Sequence, residues 1–166
     1  MALYKVIDDY LPQQQYINLY KYMTGYLPNW KFIPYITYDD NRGDEGAQFV
    51  IPIQSDTTGL DDPHNYFAPL LNKLNAIHLI RIKANCTLRT DIIKQSMLHC
   101  DYDFPCVTAI YHINTCDGYT HFEDGSKVDT VGNRMIIFPS HVKHGGSTTT
   151  SQRFRMVINF NYHMNT

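Results

Sequence analysis

The spacing of apolar positions changes about halfway along the chain. In residues 13–24, Tyr16, Leu19, Tyr20 and Met23 recur at three- and four-residue intervals, after Pro12 and before Gly25. That pattern predicts a helix with one buried face. Residues 47–53, AQFVIPI, read as a strand in which Pro52 is acceptable only at an edge or a bulge. The stretch DDNRGDEG (39–46) reads as a polar loop. Asp61 or Asp62 then caps a second predicted helix that runs to about Ile77, with Leu70, Leu71, Leu74 and Ile77 on its buried stripe and Pro69 in its first turn.

From residue 79 onward the period is two. LIRIKANCT (79–87) and CVTAIYHIN (106–114) alternate, RMIIFP (134–139) is a short apolar run, and RFRMVINFNY (153–162) is a long β-type segment. Between them stand turn-forming clusters, CDG at 116–118, EDGSK at 123–127 and VGN at 131–133. Short strands with tight turns predict a mainly β sandwich or barrel, with the two helices packed against an antiparallel double sheet.

The 166 residues match the size of one domain, and a 43% hydrophobic fraction suffices for one core. The expectation is a single domain, 1–166. The formal charge of −2 and the lack of a basic run give no electrostatic case for nucleic-acid binding. No apolar run approaches the roughly 18 residues of a membrane span, and MALYKVIDDY lacks the basic-then-apolar pattern of a secretory signal. Cys86, Cys100, Cys106 and Cys116 form no CxxC pair and read as reduced thiols of a cytoplasmic protein. Thirteen tyrosines fit amphipathic packing in a β-rich fold.

The candidate chemistry lies in MLHCDYDFP (97–105). His99 and Asp101 are two apart, so in an extended chain both side chains share a face and can meet one ion. His144 follows 45 residues after His99, behind an apolar strand and the turn PSHVK. Two histidines and one carboxylate make a facial triad, the ligand set of non-haem Fe(II) oxygenases, which leaves coordination positions open. His141 competes for the distal role; Gly145 and Gly146 favour His144 by leaving room beside it, and His141 reads as a turn residue. His64, His78, His121 and His163 read as surface or packing residues and Asp103 as a loop residue. Arg153 and Arg155 stand at the start of the last β-type segment. Either offers a bidentate fork for the far carboxylate of a metal-chelating 2-oxo acid such as 2-oxoglutarate.

Taken together, His99-Cys100-Asp101, CVTAIYHIN, GYTHFEDG (118–125), NRMIIFPSHVKHGG (133–146) and RFRMVINFNY resemble the 2-oxoglutarate/Fe(II) dioxygenase superfamily. Within it they are most similar to the prolyl 4-hydroxylase-like branch and its compact bacteriophage and bacterial members. The similarity begins at LIRIKAN; the first half matches only as helical support. The resemblance implies a double-stranded β-helix (jelly roll) with a core at about 79–162. Its metal would be Fe(II) on His99, Asp101 and His144, and its cosubstrates 2-oxoglutarate and dioxygen. Arg155 or Arg153 would bind the distal carboxylate, with Arg155 favoured, and His112 stands where the family often has a tyrosine. Thr108, Ile110, Thr120, Asn85 and Lys83 would share the pocket wall. The implied reaction is hydroxylation of a C–H bond coupled to conversion of 2-oxoglutarate to succinate and carbon dioxide. Peptidyl proline, another protein side chain or a small molecule would be the substrate, in the cytoplasm of a bacterial cell or a phage-infected host. Oxidative demethylation of a nucleic-acid base and a non-catalytic jelly-roll binding or structural module are the alternatives.

Overall fold

The computed structural model describes residues 3–36, 46–55, 62 and 64–164, together with the backbone of 38–39 and 42–43. Along the chain run β1 (Lys5–Ile7), α1 (Gln13–Met23), β2 (Lys31–Ile33), β3 (Tyr38–Asp39), β4 (Arg42–Gly43), β5 (Gln48–Gln54), α2 (Ala68–Leu74) and β6 (Ala76–Leu88). They are followed by β7 (Val107–His112), β8 (Tyr119–Phe122), β9 (Lys127–Asp129), β10 (Met135–Pro139), β11 (His144–Gly146) and β12 (Phe154–Met164). Seven strands form one antiparallel sheet in the order β1-β10-β7-β12-β6-β5-β2, and β11-β8-β9 form a second. Antiparallel bridges at Gln95↔Ser147 and His99↔His144 lay the irregular stretch 95–99 alongside β11. The result is the two-layered jelly roll that the alternating periodicity predicts.

Side-chain alternation divides the larger sheet into two faces. Ile82, Ala84 and Cys86 of β6, Ala109 and Tyr111 of β7, and Met156, Ile158, Phe160 and Tyr162 of β12 pack with Leu19 and Met23 of α1 and Leu70 and Leu74 of α2. The Tyr16 hydroxyl also donates to the Ile113 carbonyl at 2.9 Å, fastening α1 to the sheet. On the opposite face, Ile110, Ile136, Phe138 and Val157 meet Phe122, Val128 and Val142 and close only one end of the inter-sheet space. The other end is lined by polar side chains and holds the candidate site.

The first third contributes more than helices. β1 and β2 are edge strands of the larger sheet, and β5 pairs with β6. β1 and β2 have three residues each, too few for alternation to mark them. Pro52 sits at a register shift between β5 and β6, the bulge its missing N–H requires. Within 39–46, β3 and β4 pair with each other where a loop was expected. The second helix ends at Leu74 because Asn75 turns left-handed (φ 53°), a conformation asparagine tolerates, and Ile77 lies exposed in β6. Asp61 lies outside the described residues. The Asp62 carboxylate accepts from the backbone N–H groups of Tyr66 (2.7 Å) and Phe67 (2.8 Å), just before α2. Asp62→Ala strips partners from two amides, and a loss of about 1–2 kcal/mol is expected. An unchanged midpoint in urea denaturation would contradict that role. No described helix is long and apolar enough to cross a membrane.

Candidate metal centre and cosubstrate pocket

Two main-chain hydrogen bonds join the segment carrying His99 to β11. His99 N–H donates to the His144 carbonyl and His144 N–H to the His99 carbonyl, each at 3.0 Å. This pairing sets the two imidazoles side by side, ring centroids 4.8 Å apart. Asp101 follows after one residue, and a ligand atom from each of the three lies within 4.8 Å of the others.

The ring nitrogens have divided roles. His144 Nδ1 lies 3.1 Å from the Val142 carbonyl and His99 Nδ1 3.3 Å from the Met97 carbonyl. A carbonyl only accepts, so Nδ1 carries a proton in each ring, and in the neutral imidazole Nε2 is then the nitrogen with the lone pair. Burial, opposed by Asp101 and helped by His99, pulls His144 down to about 4, which leaves it neutral and ligand-ready at neutral pH. Its Nε2 is buried without a hydrogen-bond partner among the described residues. Buried acceptors are rarely left empty, and here an electron-pair acceptor fits: two imidazole nitrogens and a carboxylate converge on one point.

Asp101 is held as an anion. Burial raises its pKa, but Arg81, His144, the Asn161 amide and His99 outweigh burial and hold it below the usual carboxylate range. Arg81 Nη2 reaches one carboxylate oxygen at 2.8 Å. Asn161 Nδ2 (2.9 Å) and the Thr108 hydroxyl (3.2 Å) donate to the other. Outer hydrogen bonds of this kind typically carry a 10–100-fold effect on metal affinity. Asn161→Ala is therefore expected to weaken Mn(II) binding by about tenfold or more with the fold intact; unchanged affinity would remove Asn161 from the metal's support.

The triad opens into a cavity of about 320 Å³ between the sheets. At its inner end lies Arg155 of β12, 4% exposed. Its Nε donates to the Thr130 hydroxyl (2.7 Å) and its Nη2 to that of Thr120 (3.0 Å). Burial pulls its pKa down to about 10, against a smaller opposing pull from Cys116, so it remains a cation at neutral pH. No carboxylate among the described residues pairs with it. A buried, unpaired guanidinium is costly, and an anionic ligand would relieve that cost. Space for the guanidinium comes from glycines. A Cβ on Gly118 would stand 2.7 Å from Arg155 Cδ, and one on Gly146 3.0 Å from Nη1.

The other residues singled out from the sequence divide. Ile110, Thr120, Asn85 and Lys83 line the cavity. Thr108 lies behind Asp101 as a hydrogen-bond donor and is not part of the wall. His112 is fully buried with neither ring nitrogen partnered among the described residues, and it stands outside the lining. Burial, Arg155 and Arg134 push its pKa well down, so it is neutral. Arg153 is exposed and outside the cavity. His141 is an exposed turn residue whose carbonyl accepts from the Cys100 thiol. His64 and His78 are exposed, and Asp103 lies in an exposed bend. His163 is partly buried, its ring 5.9 Å from that of His78. His121 is nearly buried, with Nε2 on the Ser96 carbonyl at 3.1 Å, and it packs beneath Gly145. Sequence reasoning missed Arg81, Asn161, Asn159 and Thr130. Arg81 and the two asparagines carry a signal: polar residues at every second position, 81-83-85-87 on β6, and at 155, 159 and 161 on β12 with Val157 between, inside strands whose other face is core.

No family model matches the sequence, and no curated protein matches it. Solved structures do. A prolyl hydroxylase from Trichoplax adhaerens, in complex with a hypoxia inducible factor oxygen degradation domain peptide fragment, is 19% identical with a TM-score of 0.57, covering 97% of this chain and 83% of that one. An oxidoreductase of the 2OG-Fe(II) oxygenase family from Burkholderia pseudomallei is 11% identical with a TM-score of 0.64, covering 98% and 86%. The fold is that of the 2-oxoglutarate/Fe(II) oxygenases. HygX from Streptomyces hygroscopicus, solved with nickel and 2-oxoglutarate bound, is 10% identical with a TM-score of 0.64, covering 98% and 83%.

Proposed function

We propose that the chain is one oxygenase domain, dependent on Fe(II) and 2-oxoglutarate, that hydroxylates a C–H bond. The observation that carries this reading is the pairing, in one cavity, of two complementary sets of side chains. A neutral imidazole whose Nε2 has no partner among the described residues meets a carboxylate at one end, and a buried guanidinium with no described carboxylate beside it lies at the other. His99, Asp101 and His144 would hold Fe(II), and Arg155 the distal carboxylate of 2-oxoglutarate. Together with dioxygen, these groups supply an oxidation that the side chains cannot perform.

The chain's own part is positioning. The Val142 and Met97 carbonyls fix which imidazole nitrogens face the ion. Arg81, Asn161 and Thr108 fix the plane of the Asp101 carboxylate. Thr120 and Thr130 orient the guanidinium. Tyr35 and Ile36 also line the cavity, and their carbonyls accept from the Gln48 amide at 3.3 and 2.9 Å. A protein, peptide or small molecule would be the substrate, and peptidyl proline is the first to try, since the Trichoplax neighbour is a prolyl hydroxylase in complex with a peptide fragment. Purified protein supplied with Fe(II), 2-oxoglutarate and air is expected to release succinate, slowly without substrate, and to stop when iron is chelated. Absence of both succinate release and 2-oxoglutarate binding would end the oxygenase reading.

A further inference from the structure

Among the described residues the cavity wall holds three cations, Arg81, Lys83 and Arg155, and one acid, Asp101. A divalent metal and dianionic 2-oxoglutarate cancel each other's charge and leave that excess in place. Arg81 is committed to Asp101. On the oxygenase reading, Arg155 takes one carboxylate of the cosubstrate and the metal the other. Lys83 is left over. It is partly buried within β6, and among the described residues its ammonium makes no hydrogen bond or ion pair. Burial, with Arg81, pulls its pKa below the ordinary lysine value, while Asp101 pulls back. An ammonium kept in such a place without a counter-ion is costly unless a ligand supplies one.

Register gives its position. On β6 the inward residues Arg81, Lys83, Asn85 and Thr87 follow one another at about 7 Å, twice the rise per residue. Arg81 and its β12 partner Asn161 mark the metal end, where both bond Asp101. Thr87 and its partner Arg155 mark the cosubstrate end. Lys83, opposite Asn159, stands between them, one step from the metal's support. The Asn159 side-chain oxygen is buried and unpartnered among the described residues, so this part of the wall has hydrogen-bonding capacity that the chain does not use. We propose that Lys83 pairs with a carboxylate of the substrate, so that the oxidised C–H bond belongs to an acid, with Asn159 and Asn85 completing the recognition. This inference rests on the oxygenase reading of the same cavity.

The test uses the full chain with Mn(II) in place of iron, 2-oxoglutarate present and oxygen excluded. Paramagnetic broadening of a probe's proton resonances reports its approach to the metal. One probe pair is N-acetyl-L-proline and its neutral amide. The other is the end-capped tetrapeptide Ala-Pro-Asp-Ala and its Asn counterpart. The acid of at least one pair is expected to act at about 30-fold lower concentration than its neutral partner, the effect of truncating a buried charge pair. The responding pair tells a free acid from an acidic side chain in a peptide. Lys83→Met should erase the preference with Mn(II) and 2-oxoglutarate binding unchanged, and Lys83→Arg should restore it. Lys83→Gln serves the same comparison if Lys83→Met does not fold. The proposal is overturned if acid and neutral probes act alike, if no acid acts, or if the preference survives loss of the lysine. Loss of 2-oxoglutarate binding in Lys83→Met also overturns it, by assigning Lys83 to the cosubstrate. A wild-type protein that binds neither Mn(II) nor 2-oxoglutarate sinks the oxygenase reading itself.

Discussion

Asp101→Ala is expected to abolish stoichiometric metal binding, a loss beyond the 10–100-fold typical of an outer-sphere change. Three effects act together. The substitution deletes the only anionic ligand in the triad, so the ion loses charge compensation as well as a bond. It leaves Arg81 Nη2, Asn161 Nδ2 and the Thr108 hydroxyl pointing at a space that the carboxylate filled. It also places an unscreened guanidinium beside the ion's position, where repulsion is strong. Asp101→Asn separates these contributions, since it keeps the volume and one oxygen acceptor while removing the charge. His144→Ala removes the buried Nε2 and is expected to match Asp101→Ala, while His141→Ala, in an exposed turn, stays at the wild-type level. Anaerobic Mn(II) titration followed by electron paramagnetic resonance reads all four. Full binding by a folded Asp101→Ala protein would dissolve the triad, and loss in His141→Ala with retention in His144→Ala would move the distal ligand.

Arg155→Leu is the second large effect. The other cations among the described lining residues, Lys83 and Arg81, stand on the neighbouring strand β6 toward the metal end, opposite Asn159 and Asn161 rather than Arg155. Without the guanidinium, the distal carboxylate of 2-oxoglutarate would be desolvated against two threonine hydroxyls, which cannot balance a charge. Truncating one member of a buried charge pair costs roughly 2–5 kcal/mol, about 30-fold or more in affinity. Isothermal titration of 2-oxoglutarate into the Mn(II) protein measures it, and Mn(II) affinity alone should stay the same. Arg153→Leu should bind as the wild type does, because that side chain is exposed just before β12 and does not line the cavity. Equal losses in the two variants would mean that the carboxylate is not held where Arg155 lies.

The readable parts of this site were those in which local spacing and tertiary geometry coincide. His99 and Asp101, two residues apart, do bring their ligand atoms together, and Arg155 alternates with core residues on a strand long enough to declare its period. Asn85 and Lys83 were reachable by the same rule. The partnership of Arg81 with Asp101 was not, since it depends on where an irregular loop returns across β6, a fact of register and not of sequence distance. Thr108 shows the limit from the other side. Its strand and its inward face were both legible, yet only the packing of Asn161 against it decides that it braces Asp101 and does not touch the cavity. His112 was legible as inward-facing, but the burial that empties its ring nitrogens of partners is a property of the assembled sheets. At the N-terminus, strands of three residues contribute hydrogen bonds to the sheet edges without enough length to show a pattern.

The paired main-chain bonds between His99 and His144 also bear on which ion the proposed triad would select. A pair of imidazoles stitched together by the backbone, with tautomers already chosen, has its spacing set during folding. Such a set cannot reshape itself to favour one first-row divalent ion over its neighbours. Intrinsic affinity rises from manganese through iron, cobalt and nickel to copper, so nickel and copper bind such sites more tightly than iron does. On the oxygenase reading, iron occupancy would then be a matter of supply, and purification in a different metal background is expected to yield a folded, differently loaded and inactive protein.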